Sequence, residues 1–147
     1  MKKFFIGKPF ETKFDFRETC FGICEKDGKI LLTQKLNKNE TSLVGGGLED
    51  GETHIDCLNR EFAEEVGYKI KYLKELCDVD CYWLAAGKYP MRSLAHFYIV
   101  DVENEQFEPI EEGHQHIWID KFQVKVFCPL PYHQQAIEYY LNLDFNK

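Results

Sequence analysis

The sequence predicts an α/β sandwich. Strand-like apolar runs and alternations dominate, and two main segments, 53–66 and 131–143, carry helical spacing. Short turn signals, rather than linkers or repeats, separate these segments. At 147 residues the chain suits one domain spanning 1–147, long enough to bury a core without disulfide or metal staples.

Each element follows from a local pattern. "TCFGICEKDGKILLTQKL" places two apolar runs around Asp27-Gly28, which predicts a hairpin with a two-residue turn. "TSLVGGGLED" reads as a short strand entering a glycine loop. From Thr53 to Val66 the spacing becomes helical, with Ile55, Leu58, Phe62 and Val66 on one stripe and Gly67 as a left-handed stop. "YKIKYLKELCDVDCYWLA" and "RSLAHFYIVDV" read as strands separated by a loop over Ala86 to Met91. "HIWID" is a further short strand, and "PYHQQAIEYYLNL" is a helix opened by Pro131.

Charge narrows the partners. The formal net charge is −7, and the arginines are Arg17, Arg60 and Arg92. That balance argues against an extended nucleic acid, whose binding rests on neutralising many phosphates. It leaves room for a phosphorylated small molecule whose charge a bound cation carries. The opening MKKFFIG is too poor in apolar residues for a signal peptide, and no run reaches the length of a membrane span. The six cysteines lack C-x₂-C spacing and read as reduced, mostly buried thiols, so the expected compartment is the cytoplasm.

The carboxylates of the first helix raise a physical question. Glu61, Glu64 and Glu65 fall beside the apolar stripe at i, i+3 and i+4. Like charges at that spacing cost a few tenths of a kcal/mol per pair unless something positive intervenes. A rigid, oxygen-rich cluster suits Mg²⁺ or Mn²⁺. Gly46, Glu52 and the run Arg60-Glu61-Phe62-Ala63-Glu64-Glu65-Val66-Gly67-Tyr68 also stand in the register G-x₅-E-x₇-R-E-U-x-E-E-x-G-U. Seven fixed identities arise by chance in roughly one chain of this length in a million. The sequence resembles the Nudix hydrolases of the MutT-like kind. Phe62 and Tyr68 occupy the two U positions, usually aliphatic, and Leu43-Val44-Gly45-Gly46 lacks the proline often found ahead of the box.

The resemblance implies a Nudix-type α/β/α sandwich with a mixed sheet and a loop–helix catalytic motif. It implies cation ligands at Glu61, Glu64 and Glu65, with the Gly45 carbonyl as a further oxygen, and a supporting salt bridge between Glu52 and Arg60. A loop acid ahead of Trp118 is expected to complete the site, with Glu112 preferred over Glu111 and Glu108. Arg17, Lys35 and Arg92 are candidates for substrate phosphates. His114 and His116 read as polar loop residues rather than a zinc pair, and Tyr82, Trp83 and Tyr89 as core aromatics near a loop.

The expected activity is Mg²⁺-dependent hydrolysis, with Mn²⁺ as substitute, of a nucleoside diphosphate linked to a further group, nucleoside triphosphates included. A monomer or homodimer acting on a small nucleotide, away from membranes, fits that activity. The alternatives are a non-catalytic Nudix sensor that binds a nucleotide and an isomerase acting on prenyl diphosphates. The first is disfavoured by the intact box acids, and the second needs additional catalytic residues.

Overall fold

The computed structural model describes residues 2–38 and 40–144. Its elements, in chain order, are β1 (Lys2–Ile6), β2 (Asp15–Ile23), β3 (Glu25–Lys26), β4 (Lys29–Lys35), β5 (Glu40–Gly47), α1 (His54–Val66), β6 (Tyr68–Ala85), β7 (Tyr89–Gln106), β8 (His114–Asp120), α2 (Val124–Phe127) and α3 (Pro131–Asp144). The strands join in the order β1-β6-β7-β2-β5-β4-β3, with β8 on β4. Pairing of β1 with β6 and of β2 with β7 is parallel, while the other ladders are antiparallel, so the sheet is mixed.

A helix covers each face. Beneath α1 lie Cys20, Leu31, Val44, Tyr98, Val100 and Val102, packed against Leu58, Phe62 and Val66. Beneath α3 lie Phe21, Ile23, Leu43, Val79 and Phe97, packed against Tyr132, Ala136 and Ile137. This is the α/β/α sandwich that the sequence predicts. All six cysteines are free and buried within these layers.

Local chemistry explains most boundaries. Asp27 and Gly28 both take positive φ, 52° and 77°, as the tight β3–β4 turn requires. Thr53 caps α1 by accepting from the Asp56 backbone, and Asp56 returns the bond to the Thr53 N–H. Gly67 ends the helix at φ 70°.

Two expectations need correction, and two stretches of strand lie outside every expectation. Ile55 is 53% exposed, because the buried stripe begins two residues later, at Cys57 on the opposite side of the helix, and takes in Glu61 and Glu65 with Leu58, Phe62 and Val66. The segment expected to loop from Ala86 to Met91 turns only over 86–88, since Tyr89, Pro90 and Met91 already pair with Ala85, Leu84 and Trp83. Pro90 is tolerated there because β2 starts opposite Met91, leaving the outer edge of Pro90 without a ladder to donate to. Finally, β1 and the first half of β2 carry no clear apolar pattern, and both are largely exposed.

Candidate active site

Strand β5 brings its glycines under α1. Gly45 stands at φ 152°, where any side chain would run into the Cys20 carbonyl of β2. A Cβ on Gly46 would lie 2.8 Å from Glu61 Oε1, so a bare backbone is what lets that carboxylate settle on the strand. The Gly45 N–H donates to Glu65 Oε1 at 3.2 Å. Glu61 and Glu65 are therefore held inward, at 8% and 7% exposure, on the buried flank of the helix. Burial of Leu58, Phe62 and Val66 supplies about 1.5–3 kcal/mol each, far more than the repulsion between neighbouring acids costs.

Arg60 organises the remaining charge. Its Nε and Nη2 donate to Glu52 at 2.7 and 2.9 Å, in a two-pronged ion pair. Nη1 donates to Glu61 at 2.7 Å and to Glu64 at 3.3 Å, and Nη2 also reaches the Gly47 carbonyl at 3.0 Å. The bridge to Glu52 is thus present, and the same guanidinium ties down two of the box acids as well. The hydrogen bonds from Arg60 hold the Glu52 carboxyl down at about 2. Glu65 behaves oppositely: burial pushes its carboxyl well up, reinforced by the hydrogen bond and charge of Glu61. Burial, then the charge of Glu61, raises Glu64 too.

These shifts test the site's fit to a cation. Two buried carboxylates side by side, with one of them driven toward its protonated form, fit a divalent ion that would replace the proton. The donors are all oxygen, which suits a hard cation such as Mg²⁺.

The loop between β7 and β8 docks on the C-terminal turn of α1. Ile110 N–H donates to the Ala63 carbonyl at 3.3 Å, and Glu111 N–H to the Glu64 carbonyl at 3.1 Å. These bonds satisfy carbonyls that the helix end leaves open. The Glu111 carboxylate contacts His114 Nε2 at 3.0 Å, and its charge contributes to raising Glu64. Glu112 is exposed at the loop tip beside Gly113. Glu111, placed behind Glu112 together with Glu108 in the sequence, is the loop acid whose backbone and charge both reach Glu64. Glu108 is exposed as well.

The three candidate phosphate contacts separate. Lys35, at the end of β4, lies close enough for its charge to oppose the upward shift of Glu65. Arg17 packs against Gly47, lines a cleft of about 660 Å³ with Phe16, Glu18, Glu52, Arg60 and Glu61, and has no salt bridge among the described residues. Arg92 instead makes two bonds to Asp80, at 3.0 and 2.8 Å, between the rings of Phe16 and Tyr82. It is absent from the cleft lining. The structure commits Arg92's charge to a neighbouring strand. His114 and His116 stand on β8 rather than in a loop, paired with β4, and their rings contact Thr33, Glu111 and Gln106 as polar side chains without a zinc set among the described residues. Tyr89 is 56% exposed rather than core. Glu18 was not legible as a cleft residue, because no motif marks it.

Known proteins share this fold. The NUDIX domain model matches residues 17–140. An RNA pyrophosphohydrolase from Haemophilus ducreyi is 30% identical over 96 residues, which cover 65% of this chain and 44% of that protein. The chain spans less than half the length of the curated relatives it matches. Among solved structures, a NUDIX hydrolase from Nitrosomonas europaea superposes with a TM-score of 0.70 at 21% identity, covering 86% of this chain and 88% of that one. A MutT protein from Bacillus halodurans gives 0.67 at 19% identity, covering 83% and 80%. Among the described residues no helix is long and apolar enough to cross a membrane. With the box acids gathered on α1, the glycine strand beneath them and the family model spanning most of its length, the chain belongs to the Nudix hydrolase family.

Proposed function

We propose that this protein is a Mg²⁺-dependent pyrophosphohydrolase, with Mn²⁺ as substitute, acting on a nucleoside diphosphate linked to a further group, nucleoside triphosphates included. The observation that carries this reading is the Arg60-knitted acid cluster, with Glu65 buried beside Glu61 over the bare backbone of Gly45 and Gly46. The relative named RNA pyrophosphohydrolase supports the class of bond.

Each residue has a task under this reading. Glu61, Glu64, Glu65 and the Gly45 carbonyl would hold the cation. A bound Mg²⁺ supplies neutralising charge to the diphosphate oxygens and a water of lowered pKa. Arg60 keeps Glu61 and Glu64 pointed inward and fixes the glycine loop through Glu52. Arg17 and Lys35 offer cationic contacts to substrate phosphates from two sides. A loop acid, Glu112 or Glu111, takes a proton from the attacking water. We place the protein in the cytoplasm, acting as one unit over 1–147, as a monomer or homodimer.

The test is product release from a panel of nucleoside triphosphates, nucleoside diphosphate sugars and a short RNA with a 5′-triphosphate, with Mg²⁺ or Mn²⁺. Metal-dependent cleavage of a diphosphate bond is the expected result. Tight nucleotide binding without any cleavage would replace this reading with that of a sensor.

A further inference from the structure

On the α1 face of the sheet, a second constellation forms away from the box acids. Glu18 comes from β2, His96 from the neighbouring β7, and His54 from the first turn of α1. One ligand atom from each lies within 4.8 Å of the others. His96 Nε2 sits 2.6 Å from Glu18 Oε2, and its Nδ1 sits 2.7 Å from Asp78 Oδ1 on β6. The His54 ring packs over that of His96 at 4.1 Å between centroids, with its Nδ1 at 2.8 Å from the Tyr98 hydroxyl.

We propose that Glu18, His54 and His96 bind one transition-metal cation of the zinc type, separate from the all-oxygen site of the box. Two imidazoles and a carboxylate are a donor set that suits Zn²⁺ and its neighbours and discriminates against Mg²⁺. The surroundings match what such ligands need. A metal-binding histidine usually donates its other N–H to a carboxylate, and Asp78 stands in that position behind His96. With Nδ1–H given to Asp78, the neutral ring turns the Nε2 lone pair toward Glu18, where two acceptors face each other at 2.6 Å. Something positive must lie between them: a proton or a cation. A proton bridging His96 and Glu18 has no use for His54, whereas a metal does. Tyr98 engages His54 Nδ1, and Nε2 has no hydrogen-bond partner among the described residues. Zinc–ligand distances of about 2.0–2.2 Å put neighbouring donors about 3.3 Å apart, so closing the present set requires shifts of roughly 1 Å. Glu18 also lines the cleft shared with Glu52, Arg60 and Glu61. An ion here would put a positive charge on the wall of an acidic groove, with a further coordination position for water or an anionic oxygen.

Chelator-stripped full-length protein, held in excess Mg²⁺, is titrated with Co²⁺ and then Zn²⁺. The expected result is one Co²⁺ per chain, with the strong visible absorption of a low-coordinate ion, displaced by one equivalent of Zn²⁺. His54→Ala and Glu18→Gln should each weaken Zn²⁺ binding at least about 100-fold, and Asp78→Asn about 10- to 100-fold. Glu65→Gln should leave the Co²⁺ spectrum unchanged. Absence of the band, its survival in His54→Ala, or its loss in Glu65→Gln would each overturn the site. The second of these leaves a bridging proton on His96. The third assigns the ion to the box acids. His54 is half-buried at a helix start, so its variant stays informative even where His96 variants fail to fold.

Discussion

Arg60 is the residue on which the charge balance of the box turns, because one guanidinium faces Glu52, Glu61 and Glu64 together. Removing it leaves three carboxylates and the Gly47 carbonyl without their donor. Arg60→Ala should cost about 3 kcal/mol, the order seen when a partly buried ion pair loses one member. For a chain of this size that lowers the thermal midpoint by about 6–12 °C. Arg60→Lys restores charge but not the two-pronged geometry, so its recovery should be partial. A melting curve unchanged in Arg60→Ala would remove the bridge from the account. Glu65 predicts the opposite sign. Its folded-state carboxyl lies above the ordinary 4.5, so from there upward the unfolded chain ionises freely while the folded one holds its proton. Burial of the Glu65 carboxyl beside Glu61 therefore weighs against the cation-free fold at neutral pH. Glu65→Gln should leave cation-free stability equal or slightly higher, yet reduce Mg²⁺-dependent turnover by at least roughly 100-fold. Near-normal turnover would sink its role as a ligand.

At the scale of elements, α1 and its glycine strand were legible because several local signals agree. The cap at Thr53, the stop at Gly67 and the apolar stripe all point to one helix, and the box register fixes which acids share its flank. What escaped the sequence depends on contacts between distant segments. The commitment of Arg92 to Asp80 follows from the β6–β7 register, and β1 takes its place by parallel pairing with residues some 75 positions onward. The choice between Glu111 and Glu112 has the same origin, since a backbone bond to the Glu64 carbonyl sets how the loop presents the two. That bond gives the two acids different tasks. Glu111 is engaged by His114, whereas Glu112 is exposed beside Gly113 and can swing. If Glu112 accepts the water's proton, Glu112→Gln should lower kcat far more than KM, while Glu111→Gln has the smaller effect. Both variants remove one charge from the same loop, so a difference between them is positional. The reverse ranking would assign the base to Glu111, and equal mild losses would leave the loop contributing field alone.

At the scale of the molecule, the two cores divide the labour: the α1 side carries the polar site, and the α3 side is the drier support. His133 is the exception within that support. It is 1% exposed on α3, packed edge-on to Phe21 at 4.3 Å and beside Phe97 and Tyr132, and neither ring nitrogen has a hydrogen-bond partner among the described residues. Burial holds its imidazole down at about 3, against an ordinary 6.5. The unfolded chain therefore gains a proton here as pH falls through 6.5, and the folded chain does not until about 3. Stability from this residue is complete above 6.5 and drains away between those values as acid is added. At pH 5 the loss is about 2 kcal/mol, set by how far the unfolded imidazole is already titrated. His133→Leu removes the titration and the two unpartnered nitrogens at once, so the variant should be at least as stable at pH 7. Between pH 7 and pH 5, urea midpoints should fall further in the parent protein than in the variant, by an amount equivalent to that 2 kcal/mol. The acids of the box titrate in both proteins and cancel in the comparison. Parallel loss in the two would mean that water or a proton reaches the His133 ring in the folded state, and that the α3 side is wetter than its packing implies.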